Sequence, residues 1–518
     1  MKVVTVQEMV EIERSADDSG LHYDIMLENA GNNLGKWIYA NFTDQQKYVI
    51  GLIGSGNNGG DALVALEFLA KRGWICFAYI VKARFKSDPY QERLKLAGGI
   101  LIEPDADRQL YLLESILSRS SIILDGILGT GFQQPLAPEL ATRMHNMKEI
   151  IRKSPLKHQI VAVDCPSGVD CDTGEVVDCV LTADYTTCMA AVKQGLLEFP
   201  AFSYCGNLVE IKIGLPDDFP LLGNKTTYVL NPQTTAMLLP HRPINAHKGS
   251  YGTSLIYAGS QAYTGAAYLA GKAAYLAGVG LVHMLVESDV HQALAGQLLE
   301  AIWTVIPASD ALKEAKAFRT AVNSSRRYQA VLLGSGIGQT DQARRIFLEI
   351  LFGGSNMGNS QPLIIDADGL RMLVEIDGWW EKLSAQTILT PHPGEMAVLT
   401  GLSVTEIQAN RVAVVRKFAK QWQKIIILKG ALTAIANPEG RVAIVPIASS
   451  ALATAGTGDI LAGFVTGLCA QGLSPFEAAQ LAAFVHARAG QFSANKVNQT
   501  ASVTALDVLE AIPEVLGN

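Results

Sequence analysis

Tyr48-Val49-Ile50-Gly51-Leu52-Ile53-Gly54-Ser55-Gly56-Asn57-Asn58-Gly59-Gly60-Asp61 carries an apolar run into a polar, glycine-rich turn, and Ala62-Leu63-Val64-Ala65 leaves it with helical character. Strand, glycine turn and helix in that order begin a βαβ unit, the building block of a parallel sheet. Glycines at 54, 56, 59 and 60 permit positive φ and close backbone approach. Consecutive N–H groups can then point at a phosphate near a helix N-terminus. The expected ligand is a nucleotide or a phosphorylated metabolite.

The turn also satisfies G-x-G-x-x-G, which in dinucleotide-binding dehydrogenases is followed about twenty residues later by an acid for the ribose hydroxyls. Here the second strand, Ile75 to Val81, runs into basic Lys82-Ala83-Arg84 instead. A hydride-transfer enzyme is disfavoured. Asp61, inside the turn, marks a loop that organises charge as well as receiving it.

At 518 residues, 49% hydrophobic and 18% charged, the chain has room for more than one core, and two or three domains are expected. A net charge of −7 and a pI near 5.8 argue against nucleic-acid binding, which rests on clustered Lys and Arg. Seven cysteines form an odd set without a C-x-x-C pair, so reduced thiols in a cytoplasmic protein are expected. The N-terminus interleaves Glu8, Glu11, Glu13 and Arg14 with apolar residues, like an amphipathic helix rather than a signal peptide. The most apolar helical stretch, Ile460 to Ala470, is too short to span a bilayer.

Outward from the opening strand, apolar runs recur at Ile75 to Val81, Ile122 to Leu128, Ile160 to Asp164 and Leu208 to Ile213. The rhythm breaks at the turn-rich Gly214-Leu215-Pro216-Asp217-Asp218-Phe219-Pro220, and domains are expected over 1–222 and 223–518. A second alternation follows: Ser254 to Tyr257, Leu281 to Val286, Ala330 to Leu333, Leu363 to Ile365 and Ile425 to Leu428, with a hairpin over Ala434 to Ile447. The fold class is α/β, with two different domains rather than a duplication.

Three strand ends of the first half carry polar loops: Asn57 to Asp61, Asp125 through Gly129-Thr130-Gly131, and Asp164-Cys165-Pro166-Ser167. Carboxyl ends of parallel strands share one edge, so these loops should converge there. Their Asn, Asp and Ser oxygens suit a hard cation, and a carboxylate left over could serve as acid or base. Asp125 and Asp170 have the competing role of closing Asx turns. Lys193, after the strand Tyr185 to Met189, could meet a phosphate or a developing negative charge.

With Met26-Leu27-Glu28-Asn29-Ala30-Gly31 and Val192-Lys193-Gln194-Gly195, these segments resemble the YjeF N-terminal family, which epimerises NAD(P)H hydrates. The resemblance implies a Rossmann-like three-layer domain with a potassium ion held by Asn58, Asp125 and Ser167. It assigns catalysis to Asp164 and Lys193, and substrate contacts to Asn57, Asn58, Gly59, Gly60, Asp61, Gly129, Thr130 and Gly131. Ala62 stands where the family often has glycine.

In the second half, Ala455-Gly456-Thr457-Gly458-Asp459 precedes a helix-like run. Glycines at a helix start offer N–H groups to phosphate oxygens, and an aspartate there can take a proton from a hydroxyl nucleophile. Thr390-Pro391-His392-Pro393-Gly394-Glu395 follows a strand, Lys429-Gly430-Ala431-Leu432-Thr433 follows another, and Gly334-Ser335-Gly336-Ile337-Gly338 is a further glycine turn. Together with Thr264-Gly265-Ala266 and Asp366-Ala367-Asp368, the ordered set is similar to the ADP- or ATP-dependent NAD(P)H-hydrate dehydratases, of ribokinase-like fold. That resemblance assigns catalysis to Asp459. It assigns nucleotide or substrate contacts to Ala266, Gly336, His392, Lys429, Gly430, Ala431, Leu432, Thr433, Gly456, Thr457 and Gly458, and Mg2+ accompanies ADP or ATP. Ser335 replaces a usual proline, and Ser449-Ser450-Ala451-Leu452 a run richer in Asn and Gly.

The resemblance spans essentially the whole chain and implies substrates NADHX and NADPHX, with a homo-oligomer as the default assembly. Two other readings share the motifs: a kinase of a stable small alcohol, and a nucleotide-binding scaffold without turnover.

Overall fold

The computed structural model describes all residues except 43–46, 83–87, 217, 308–310, 314, 317–318, 320–327, 354–360 and 518. Ala83 and Arg84 of the basic segment, and Asp217 of the boundary turn, lie outside the described residues. Two units divide the chain, Met1–Lys225 and Thr226–Asn518.

The first unit contains β1 (Val3–Val4), β2 (Tyr48–Ile53), β3 (Ile75–Ile80), β4 (Ile100–Ile102), β5 (Ile122–Gly126), β6 (Gln159–Val163), β7 (Tyr185–Met189), β8 (Val192–Lys193) and β9 (Asn207–Ile211). Seven of them form a parallel sheet in the order β4-β3-β2-β5-β6-β7-β9. Strand order reverses between β2 and β5, and at such a switch point the loops diverge and leave a crevice. β2 is apolar along its length because both faces are covered: Val49, Ile50, Leu52 and Ile53 are fully buried. Each contributes about 1.5–3 kcal/mol of burial. The first helix, Val6–Asp18, starts in a capping box between Thr5 and Glu8 and buries Met9, Ile12 and Ala16.

The decisive glycine turn departs from expectation. Gly54, Gly56, Gly59 and Gly60 all avoid positive φ, and Asn57 to Asp61 form the opening of the helix Asn57–Ala70 rather than a loop. The glycines are needed for close approach instead. A Cβ at Gly54 would lie 1.8 Å from the Ile127 carbonyl, and one at Gly59 would lie 2.2 Å from the Gly54 carbonyl. Ala62 is helical and fully buried, so no turn conformation depends on it.

The second unit holds β10 (Thr227–Val229), β11 (Thr253–Tyr257), β12 (Leu281–Glu287), β13 (Ile302–Ile306), β14 (Ala330–Leu333), β15 (Leu363–Ile365), β16 (Thr387–Leu389), β17 (Ile425–Leu428), β18 (Ala434–Ala436) and β19 (Val442–Ile444). They form one sheet in the order β10-β19-β18-β17-β16-β15-β14-β11-β12-β13. The β18 pairings with β17 and β19 are antiparallel and the remainder parallel. The switch point lies between β11 and β14, and the loops after β14, β15, β16 and β17 follow along one edge. No helix among the described residues is long and apolar enough to cross a membrane.

Candidate active sites

The first site is built at the β2/β5 switch point. Asn58, in the first turn of its helix, is buried, and its side-chain amide donates to the carbonyls of Val163 and Leu128. A Cβ at Gly129 would fall 2.3 Å from Asn58 Oδ1, which fixes glycine at that position. Asp125, near the end of β5, accepts the Ser167 hydroxyl at 2.5 Å and the Ser167 N–H at 2.9 Å. The Leu128 N–H donates to Ser167 Oγ at 2.8 Å, which links Asn58, Asp125 and Ser167 through one residue. Burial pushes the Asp125 carboxyl above its usual range, and the Ser167 hydrogen bonds only partly oppose this. Asp170 is a turn residue: its Oδ1 accepts the N–H groups of Asp172 and Thr173, both at 2.9 Å.

Asp164 follows β6 with φ +66, a left-handed conformation that is uncommon outside glycine and concentrates at functional sites. Its Oδ1 accepts Lys193 Nζ at 2.5 Å and the Met189 N–H at 2.8 Å. Lys193 sits on β8, which pairs with β1, and is 1% exposed. Burial works against its charge, but the Asp164 carboxylate more than offsets that and holds the ammonium well above the ordinary lysine value. Because Asn58 grips the carbonyl immediately before Asp164, the Asn58, Asp125 and Ser167 network and this ion pair share one stretch of backbone. Asn57 and Asp61 line an adjoining cavity of about 170 Å³ together with Glu13, Tyr23 and Met189. Gly129, Thr130 and Gly131 do not line it; the first two are half-buried and the third is exposed.

The helix Asn57–Ala70 has glycine at its N-cap and no side-chain cap, and so has the helix Thr457–Ala470 of the second unit. Their first-turn N–H groups are therefore left to other acceptors, the arrangement that receives anions. In the second unit Gly456 has φ +94, a conformation that favours glycine. A cavity of about 450 Å³ opens here, and its lining includes Gly456, Thr457, Gly458, His392, Lys429 and His486. Gly430, Ala431 and Thr433 line it as well, whereas Leu432 is buried beneath with φ +54. Ala266 and Gly336 meet at the β11/β14 switch point: a Cβ at Gly336 would be 2.6 Å from that of Ala266.

Lys429 is the electrostatic centre of this second site. Its Nζ lies 2.8 Å from Asp366 Oδ1 and 3.7 Å from Glu395 Oε2. Desolvation pulls its pKa down, and the carboxylates of Asp366, Glu395 and Asp459 together drive it up. Asp366 also accepts Thr390 Oγ1 at 2.6 Å and Ser335 Oγ at 3.1 Å. Asp459 has its carboxyl pushed up to about 7, first by burial and then by Asp366, while Lys429 and a hydrogen bond from Ser335 pull the other way. His392 caps the helix Pro393–Thr400, its Nδ1 accepting the Gly394 N–H at 3.0 Å and the Glu395 N–H at 3.2 Å.

Two family models match the sequence: the YjeF-related protein N-terminus over residues 23–195, and NAD(P)H-hydrate dehydratase over residues 254–514. A bifunctional NAD(P)H-hydrate repair enzyme of Moorella thermoacetica is 33% identical, covering 100% of this chain and 97% of the relative. The chain belongs to the bifunctional NAD(P)H-hydrate repair enzyme family. Further repair enzymes of this family, from Thermofilum pendens and Coxiella burnetii, are 30% and 31% identical; they cover 100% and 94% of this chain, and the chain covers 96% and 93% of them. Among solved structures, an ADP/ATP-dependent NAD(P)H-hydrate dehydratase of Bacillus subtilis co-crystallized with ATP/Mg2+ is 29% identical, with a TM-score of 0.46, covering 55% of this chain and 96% of that one.

Several residues of these candidate sites escape sequence reasoning. Ser335, read as a departure, is fully buried and hydrogen-bonded to Asp366. Asp366, Thr390 and Glu395 were legible as motif members, but not that the two carboxylates are the counter-charges of Lys429 and that Thr390 hydrogen-bonds Asp366. His486 lies in the helix Pro475–Val497, and nothing local signals it. Its Nε2 is buried without a partner among the described residues, and burial lowers its pKa to about 4.

Proposed function

We propose that this chain restores hydrated nicotinamide nucleotides, with one reaction in each unit. The first unit epimerises NADHX and NADPHX, and the second dehydrates one epimer, the S form, to NAD(P)H at the expense of ADP or ATP. The carrying observation is the cluster beside the uncapped start of Thr457–Ala470: Asp459, poised near neutrality, beside a lysine shared among three carboxylates.

The hydrate bears a hydroxyl on the ring carbon next to nitrogen, and hydroxide leaves poorly. Asp459 takes the proton of that hydroxyl as its oxygen attacks the terminal phosphoryl group of the nucleotide. The Gly456 to Gly458 backbone neutralises phosphate charge, and Lys429 supplies a fixed positive charge. The phosphate ester then departs, driven by the ring nitrogen lone pair, and loss of a proton restores the reduced ring. Mg2+ would be held mainly by the nucleotide phosphates, with the Glu395 carboxylate, 3.7 Å from Lys429 Nζ, as a protein donor of the type it takes, and would supply positive charge to the phosphates.

In the first unit, Asp164 and Lys193 assist reversible loss and return of water at the same carbon, and Asn57 to Asp61 and Gly129 to Gly131 contact substrate. The buried Asp125 carboxylate, with Ser167 Oγ and the carbonyls around Asn58, offers one negative charge among neutral oxygens, a donor set suited to a monovalent cation. Asn58, Asp125 and Ser167 would hold potassium there, and the ion would supply fixed positive charge beside the substrate-binding turn. The test is incubation of mixed hydrate epimers with ADP or ATP. Full recovery of reduced-nicotinamide absorbance is expected, and a phosphorylated alcohol that persists would instead identify a kinase.

A further inference from the structure

Epimerisation by loss and return of water needs a group that gives a proton to the departing hydroxide and takes one from the incoming water. Lys193 does not meet that need. Its Nζ is buried and committed to Asp164, with the carbonyls of Met189 and Ala191 at 3.2 and 3.3 Å. Asp164 Oδ1 is committed in turn to Lys193 and the Met189 N–H.

A third group faces the same place. Glu13 lines the 170 Å³ cavity together with Asn57, Asp61 and Met189, the residue whose N–H holds Asp164. Its helix is fixed there. It follows β1, which pairs with β8 so that Val4 lies opposite Lys193, and Asp172 Oδ1 accepts the Val6 N–H at 2.8 Å. The Glu13 carboxylate is half-buried and hydrogen-bonds no described residue. Facing it are Tyr23, Asp24 and Asp61 from the cavity wall and the Asp164–Lys193 pair, with Arg14, Asp17 and Asp18 on its own helix. Burial favours its protonated form; the Lys193 charge opposes this, and the Asp164 charge offsets part of that opposition.

We propose that Glu13 is the proton-transfer residue of the epimerisation, acting beside the Asp164–Lys193 pair, which supplies charge and no proton. This rests on the reading of the first unit as the epimerase. The Glu13 carboxyl protonates the ring hydroxyl, and the C–O bond breaks with its electron pair leaving as water. The nitrogen lone pair forms the C=N bond of a cation, whose charge the Asp164 carboxylate offsets. Water then adds to the other face, the C–O bond re-forms, and the released proton returns to Glu13. The net change is inversion at one carbon, with no oxidant or reductant.

The experiment uses the full chain with mixed NADH hydrate epimers and excess nucleotide. The fast phase reports dehydration of the accepted epimer, and the slow phase its resupply by epimerisation. Glu13→Gln should slow the resupply about 100-fold or more, leave the fast phase unchanged, and remove the decline in resupply that the parent shows as pH rises through the Glu13 value. Glu13→Asp should restore part of the rate together with that decline. If Glu13→Gln resupplies within about twofold of the parent, decline included, while Asp164→Asn does not, Glu13 is not the proton carrier and the epimerase reading stands. Glu13→Asp as slow as Glu13→Gln, with no decline, also overturns the proposal. If Glu13→Gln and Asp164→Asn both resupply at the parent rate, the epimerase site lies elsewhere and both readings fall.

Discussion

Each unit sets a lysine against carboxylates, and they do so differently. Lys193 is given to one aspartate, fully enclosed, at 2.5 Å from Asp164. Lys429 is shared: Asp366 at 2.8 Å, Glu395 at 3.7 Å, and Asp459 in its field. A lysine locked to a single carboxylate stabilises charge but holds its proton at any ordinary pH. Burial first, and then the Asp366 charge, displace the Asp459 carboxyl to about 7, and a lysine shared among three carboxylates does not bring it back, which suits the proton exchange proposed for it. In the proposed mechanisms, proton chemistry therefore falls to the carboxylate outside the tight pair.

The largest expected break in that comparison is Asp459→Asn. Dehydration should fall about 10²- to 10⁴-fold while epimerisation continues, as followed by nucleotide-dependent absorbance recovery and by epimer-resolved chromatography. Next comes Lys193→Met. Removing one partner of a buried ion pair leaves the other charge uncompensated, which costs about 3–5 kcal/mol, read as a lowered denaturation midpoint. Lys429→Met should cost less stability, because Asp366 keeps the Ser335 and Thr390 hydroxyls.

The third prediction concerns pH. With the carboxylate form of Asp459 as the proposed base, the dehydration rate should rise with pH through about 7. Stability runs the opposite way. The folded-state value lies above the unfolded one, so the stability it contributes is complete below the unfolded carboxyl value and is lost as pH rises through about 7. Asp459→Asn should therefore melt higher than the parent above neutrality and show a flatter pH dependence. The smallest effect is that of Ser335→Ala. Losing this hydroxyl, which donates to Asp366 at 3.1 Å, should cost about 1 kcal/mol, read as a lowered denaturation midpoint.

Much of this was legible in the chain. The runs at β2, β14, β15 and β17 match the structure at both ends, because strands buried on both faces read as uninterrupted apolar segments. Ile302–Ile306 was missed although it is apolar, and so were the very short Val3–Val4 and Thr227–Val229, whose pairings join residues far apart in sequence. Glycine chemistry was half legible. Positive φ was expected around Gly54 to Gly60 and occurs instead at Gly334, Gly336, Gly338 and Gly456, since a sequence does not distinguish a glycine needed for conformation from one needed for clearance. Glu13 was visible only as one acid on the polar face of an amphipathic helix. Which of those acids faces a cavity depends on how that helix packs.

The most direct measurement of the central claim follows reduced-nicotinamide absorbance when mixed NADH hydrate epimers are given to the parent, Asp459→Asn and Asp164→Asn with ADP or ATP. The parent should restore both epimers. Asp459→Asn should restore almost nothing, and Asp164→Asn should stop after the accepted epimer apart from slow spontaneous interconversion. Parent-rate recovery by Asp459→Asn would contradict the account, as would complete rapid recovery by Asp164→Asn.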